Sequence, residues 1–137
     1  MAPKGSIVTC SYNRPIFLRK AIESLRCQTD LDWEHLICDD ASTNSELQSV
    51  FDWALQDPRV RVWRGQENLD RPAVLWNFML DRAMGKYFTV LDDDNEKLPR
   101  FVEAMSWELD THPDIDVVTC GWRVDRSEVN MSYEDYF

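Results

Sequence analysis

The stretch SIVTCSYNRPIFLRKAIESL, Ser6 to Leu25, decides the fold. Its first part, Ser6–Cys10, is an apolar and β-branched run of strand length. In its last part Leu18, Ile22 and Leu25 recur at helical spacing. Pro15 falls where a helix's first turn accepts proline, because the N–H it lacks would have no intrahelical partner. A strand, a short polar turn and a helix make the first half of a βαβ unit.

The alternation continues outward from there. Strand-like runs recur at EHLIC (Glu34–Cys38), RVRVW (Arg59–Trp63), KYFTVL (Lys86–Leu91) and IDVVTC (Ile115–Cys120). Helical spacing is carried by Leu47, Val50, Phe51, Ala54 and Leu55, then by Val74, Leu75, Phe78 and Met79. A last set is Phe101, Val102, Met105 and Leu109. Pro72 suits a first turn, Gly85 a helix stop, Pro99 the opening of the last helix and Pro113 its end. Strands alternating with helices of this length predict right-handed crossovers and an α/β domain with a mostly parallel sheet and flanking helices.

Composition narrows the function. A chain of 137 residues, 44% hydrophobic and carrying six Trp, can bury a core. A net charge of −10 argues against nucleic acid as a partner, whose phosphates require a basic face. Cys10, Cys27, Cys38 and Cys120 are widely spaced without a C-x-x-C pair, which suits neither a zinc knuckle nor a disulfide scaffold. MAPKGS lacks a signal peptide's apolar segment, and no apolar run reaches transmembrane length. The expected setting is the cytoplasm, so the sequon Asn130-Met131-Ser132 is expected to carry no glycan.

Ligands of an open parallel sheet bind outside the carboxyl ends of its strands. Four segments stand there: Ser11–Arg14, Asp39–Ser42, Arg64–Arg71 and Asp92–Asn95. Neither glycine-rich phosphate cradle, G-x-G-x-x-G or G-x-x-x-x-G-K-[ST], follows any strand. A hard divalent cation held by carboxylates, Mg²⁺ or Mn²⁺, is the alternative way to meet phosphate charge. Asp92 and Asp94 could reach one ion, and a strand pattern running on would turn Asp93 the other way. The same three acids could instead form a solvated loop or cap the helix after Leu98. An EF-hand fails, because Lys97 stands where that loop needs glycine. Asp39-Asp40 alone reads as a structural pair, with Ser42, Thr43 or Asn44 available to cap the next helix. Tyr12 could be a rim aromatic or a platform for a flat base, and Arg71 is by default a surface charge.

SIVTCSYNRPIFLRKAIESLRCQT, WEHLICDDAST, RVRVWRGQENLDRPAVLWNFML and GKYFTVLDDDN, in that order, resemble the family 2 glycosyltransferases of GT-A fold. LPRFVEAMSWELDTHPDIDVV is most similar to the bacterial spore-coat polysaccharide type. The resemblance implies a UDP- or dTDP-sugar donor, a glycan or other hydroxyl acceptor, and inverting transfer. It implies that Tyr12 packs on the nucleobase beside Cys10. Asp40 would accept a hydrogen bond from the base, Arg71 would lie near the base or diphosphate, and Asp93 would hold the ribose. Asp94 would bind the Mn²⁺ or Mg²⁺ on the diphosphate, with Asp92 in support. Trp76-Asn77 departs from the family's Arg-Asn, and Asp70 stands in place of a common loop glycine. Residues 1–126 would form the nucleotide-sugar-binding subdomain and 127–137 a tail, with the acceptor-binding half absent and no general base to name. Self-association through an uncovered edge is a further expectation. A binding module without turnover is the alternative; a receiver-like domain lacks its lysine after the last strand, where Cys120-Gly121-Trp122 stands.

Overall fold

Val8 and Leu36 lie opposite one another at the middle of a sheet and are fully buried, as are their neighbours Thr9 and Ile37. The computed structural model describes residues 2–121; the tail 127–137 and the sequon at Asn130 lie outside them. Its elements alternate: β1 Gly5–Ser11, α1 Pro15–Arg26, β2 Trp33–Asp39, α2 Glu46–Ala54, β3 Val60–Arg64, α3 Pro72–Leu80, β4 Tyr87–Val90 and α4 Phe101–Thr111. The strands run in the order β3-β2-β1-β4, each neighbouring pair parallel. Strands covered on both faces need apolar side chains at successive positions, which is why these runs show little alternation.

The two faces divide the core. Ile37 and Val60 meet Leu18, Ile22, Leu47, Val50 and Phe51 of α1 and α2. Ile7, Leu91 and Trp33 meet Ala21 and Leu25 of α1 and Val102 of α4. The opposite face packs Val8, Leu36 and Cys38 against Leu75 and Met79 of α3. Within the sheet Thr9 Oγ1 donates to Leu91 O at 2.8 Å and so accepts from His35 Nε2 at 2.8 Å. Complete burial holds that imidazole neutral, its pKa pushed down to about 3. Gln28, buried at the end of α1, accepts from Val102 N (3.0 Å) and donates to Leu98 O (2.8 Å), fixing the start of α4.

Three expectations are corrected. Ile115–Cys120 forms no strand: Val117 is 75% exposed, and the sheet has four strands among the described residues. Local apolarity gave that run its strand character, but a strand needs a ladder partner. The run instead borders a groove of about 400 Å³ beside the outer edge of β4, lined by Phe88, Val102, Met105, Leu109 and Val117. Gly85 does not end a helix, since α3 stops at Leu80. A Cβ at Gly85 would lie 2.5 Å from Ser6 N and 2.7 Å from Gly5 C, so its requirement is close approach to β1. Val74, expected on the apolar face of α3, is 49% exposed. No helix among the described residues is long and apolar enough to cross a membrane.

Candidate functional site

In the order β3-β2-β1-β4 the chain winds outward in one direction from β1 and then returns to β1's other side. The point of reversal lies between β1 and β4, and the crevice at their carboxyl ends is where such sheets bind ligands. Ser11–Arg14 leaves β1 there and Asp92–Asn95 leaves β4 there.

The loops around this crevice hold three non-glycine residues in the left-handed region: Asn13 (φ 54°), Ala41 (φ 60°) and Asp70 (φ 49°). Asn and Asp tolerate that conformation, whereas alanine does so at a cost of about 1 kcal/mol or more. Each sits in a loop after a different strand, and side-chain bonds hold Asn13 and Asp70. Asn13 Oδ1 accepts from Thr43 N and Asn44 N, both at 2.9 Å, and Asn13 N donates to Ser42 Oγ at 2.8 Å. Ser42 Oγ in turn donates to the fully buried Asp39, which also accepts from Arg64 Nε at 3.1 Å. Asp39 is therefore a structural anchor that joins the β1, β2 and β3 ends. Asn44 Oδ1 accepts from Glu46 N at 2.8 Å, an Asx turn leading into α2.

Asp40 is 6% exposed, and its two oxygens accept from Leu69 N (2.9 Å) and Asp70 N (3.0 Å). Its carboxylate thus shapes the loop after β3 and retains further lone pairs. Tyr12 stands 44% exposed at the rim, open for stacking. Cys10 is half-buried beneath it, its Sγ 3.8 Å from Pro72 O. Burial and the neighbouring Cys38 and carboxylates push that thiol up to about 12, so it remains protonated and is no nucleophile. Arg71 is exposed at the N-cap of α3, and among the described residues its guanidinium has no hydrogen-bond partner. Trp76 packs against the α3 core with its Nε1 buried and unpartnered.

The three aspartates alternate. Asp93 is 6% exposed and turns inward, while Asp92 and Asp94 face solvent. Leu91 N still bonds Val8 O at 2.9 Å, and a turn closed by Asn95 N on Asp92 O at 3.0 Å then leaves Asp93 inward and Asp94 outward. Burial pushes the Asp93 carboxyl up from its ordinary value, against the charge of Arg14. Ser11 Oγ favours the ionised form of Asp93, yet it is buried without a hydrogen bond of good geometry. Arg14 Nη1 lies 3.2 Å from Asp93 Oδ1 and 3.0 Å from Asp94 Oδ2. No group of three His, Cys, Asp or Glu side chains among the described residues could hold a metal by protein ligands alone. The exposed Asp92 and Asp94 offer hard oxygen donors, and they fit a cation that keeps water and phosphate as its other ligands.

The crevice therefore brings together Cys10, Tyr12, Asp93 and Asp94, with Asp40 at the adjoining strand end. Asp39, read from the sequence as structural, is so here, whereas Ser42 bonds Asp39 and Asn13 rather than capping α2, and Asn13 and Arg14 are rim residues to which sequence reasoning gave no role. The one signal for those two was position, since both lie just past β1.

The family model described as "Glycosyl transferase family 2" matches residues 6–135. The putative glycosyltransferase EpsE of Bacillus subtilis is 32% identical over 123 residues, 89% of this chain and 44% of that protein. Among solved structures, Staphylococcus aureus TarS 1-349 in complex with UDP-GlcNAc superposes with a TM-score of 0.73 at 23% identity, over 80% of this chain and 32% of that one. The mannosyltransferase PcManGT of Pyrobaculum calidifontis, in complex with GDP-Man and Mn²⁺, gives 0.66 at 21% identity, over 78% and 32%. The chain spans 13%, 44% and 31% of the length of the first three curated relatives it matches.

Proposed function

The chain belongs to glycosyl transferase family 2, and on that premise we propose that it binds the nucleotide-sugar donor of a metal-dependent, inverting glycosyltransferase. Its α/β fold, an all-parallel sheet flanked by helices, is the GT-A fold of its structural neighbours. The carrying observation is the convergence at the β1/β4 reversal of an open aromatic, Tyr12, with an inward acid, Asp93, and two outward acids, Asp92 and Asp94. A base, a ribose and a diphosphate require that order of surfaces: a flat face, an acceptor for hydroxyls, and hard donors for a cation.

Tyr12 covers one face of the base above Cys10. Asp40 accepts from the base's N3–H, which favours uracil or thymine, and so a UDP- or dTDP-sugar. Asp93 accepts from the ribose hydroxyls, and Arg71, exposed at the start of α3, faces the diphosphate. Asp94 holds Mn²⁺ or Mg²⁺, with Asp92 in support. When bound, that cation supplies neutralisation of the charge left on the departing diphosphate. The UDP-GlcNAc and the GDP-Man with Mn²⁺ in the neighbours' complexes support a nucleotide-sugar and a divalent cation as the ligands of this chain. Residues 1–126 are the donor-binding subdomain in this reading. The glycan or other hydroxyl acceptor and the general base belong to an acceptor half outside them. A cytoplasmic setting and the spore-coat comparison belong to the same proposal.

Calorimetric titration of UDP with and without Mn²⁺ tests it. The expected result is Mn²⁺-dependent binding that Asp94→Ala abolishes while circular dichroism stays unchanged. Failure to bind UDP or dTDP under either condition would overturn the proposal. Unchanged Mn²⁺ dependence in Asp94→Ala would remove that residue's assignment.

A further inference from the structure

The donor-binding crevice contains a guanidinium that the reading above leaves without a task. A single nitrogen, Arg14 Nη1, stands between Asp93 Oδ1 at 3.2 Å and Asp94 Oδ2 at 3.0 Å. Those are the two acids assigned above to the ribose and to the cation. We propose that Arg14 is a resident counter-charge that bridges Asp93 and Asp94 in the empty chain and must release both before nucleotide and cation bind. The inference rests on the donor-binding reading.

The geometry carries it in three steps. Adjacent carboxylates, one of them buried, repel each other when ionised, and a positive group between them relieves that repulsion. Arg14 supplies the charge from the residue before α1, and Asp93 and Asp94 are the side-chain groups its guanidinium bonds among the described residues. Its side chain is 52% exposed, so it can swing into solvent without opening the core. Finally, a divalent cation on Asp94 cannot share its oxygen with a guanidinium at hydrogen-bond distance, because the two positive charges repel. The oxygen of Asp93 that accepts from Arg14 likewise loses that lone pair to a ribose hydroxyl.

One bridging group on both acids makes the two binding events interdependent. Whichever ligand arrives first loosens Arg14 from the other acid, so each raises the affinity of the other by the same factor. Arg14 is thus a positioning residue whose departure couples nucleotide to cation.

The test is Mn²⁺ affinity, read by electron paramagnetic resonance, with and without UDP, in the wild type, Arg14→Met and Arg14→Lys. Methionine keeps the stem and removes the charge. Nucleotide-free Arg14→Met should bind Mn²⁺ about three- to fivefold tighter than the wild type, the factor that an exposed ion pair is worth. The gain in Mn²⁺ affinity caused by UDP should shrink correspondingly. Arg14→Lys, which keeps the charge, should stay within about twofold of the wild type. In the wild type, the Arg14 side-chain ¹⁵Nε resonance should shift on addition of Mg²⁺ alone. Equal or weaker Mn²⁺ binding by Arg14→Met, in a chain whose wild type still binds UDP with Mn²⁺, overturns the counter-charge and leaves the donor reading standing. A wild type that binds no UDP even with Mn²⁺ removes the donor reading and this inference together.

Discussion

Among the sheet's buried carboxylates, Glu34 at the amino end and Asp93 at the carboxyl end are treated oppositely. At the amino end, Glu34 is 4% exposed and its oxygens accept from Ser6 Oγ (2.6 Å), Met84 N (2.5 Å) and Arg61 Nη2 (2.5 Å). Burial opposes its ionisation, but those three partners together outweigh burial and hold the carboxyl below its ordinary value near 4.5. At the carboxyl end, Asp93 is 6% exposed and its hydrogen bond among the described residues comes from the half-exposed Arg14. There burial wins, and the carboxyl is raised. Glu34 has its partners complete and is a clamp, whereas Asp93 keeps lone pairs beside a Ser11 hydroxyl that has no hydrogen bond of good geometry. Charge and burial alone do not separate the two; the completeness of the hydrogen bonding does.

The comparison is broken most forcefully at Glu34. Glu34→Ala leaves Ser6 Oγ, Met84 N–H and the Arg61 guanidinium without their acceptor, in the place where the 83–86 segment crosses β1. Urea unfolding should show a loss of about 3 kcal/mol, with UDP affinity in the remaining folded protein unchanged. Glu34→Gln should cost less, since its carbonyl still accepts. The pH dependence follows from the sign. A carboxyl depressed in the folded state contributes stability that is present above its ordinary value near 4.5 and is lost as pH falls through the folded value. The wild type's urea midpoint should therefore drop more steeply than that of Glu34→Gln on acidification below about pH 4.5. Parallel acid limbs in the two proteins would show that Glu34 is not the clamp.

Asp40 lies between the extremes, because each of its oxygens accepts one loop amide and retains a further lone pair. Asp40→Ala removes the acceptor of Leu69 N and Asp70 N and frees a loop that carries a residue at φ 49°. A loss of about 1–2 kcal/mol is expected by urea unfolding, less than at Glu34 because the loop can turn its amides to water. UDP affinity should fall about tenfold by calorimetry. A stability loss with unaltered UDP affinity would move Asp40 into Glu34's class and remove it from the base-binding assignment.

The contrast also marks what a sequence can and cannot disclose. Strand and helix periods report burial, and burial is local, so the four strands and four helices stand near where Val8, Ile37, Leu18 and Phe51 put them. Ile115–Cys120 has the same apolar character without a strand, because pairing depends on what lies alongside. The inward Asp93 between outward Asp92 and Asp94 matches the alternation that a strand running on would give, although a turn over 92–95 sets it. The partners that decide what those acids do were not readable. Arg14 meets Asp93 and Asp94 across 79 and 80 residues, and Met84 meets Glu34 across 50. Only the fold brings such groups together, and no window of sequence contains both.

The smallest expected effect is the sharpest test, because its sign differs from the others. Asparagine at position 93 keeps the shape of aspartate and removes the charge. At Glu34 a neutral substitute gives up strong partners; at Asp93 the partner given up is a half-exposed guanidinium, worth about 1 kcal/mol at most. Against that loss stands relief from burying an ion, together with a side-chain amide that can donate to the unpartnered Ser11 Oγ. The two contributions nearly cancel. Asp93→Asn should stay within about 0.5 kcal/mol of the wild type in urea, with any displacement toward greater stability. UDP binding should nevertheless weaken about tenfold, because a carboxylate accepts the ribose hydroxyls more strongly than an amide carbonyl does. Stability kept and affinity lost is the signature of an acid placed for a ligand. An Asp93→Asn protein that loses as much stability as Asp40→Ala, and binds UDP like the wild type, would make Asp93 a second Glu34 and move the site away from the β1/β4 crevice.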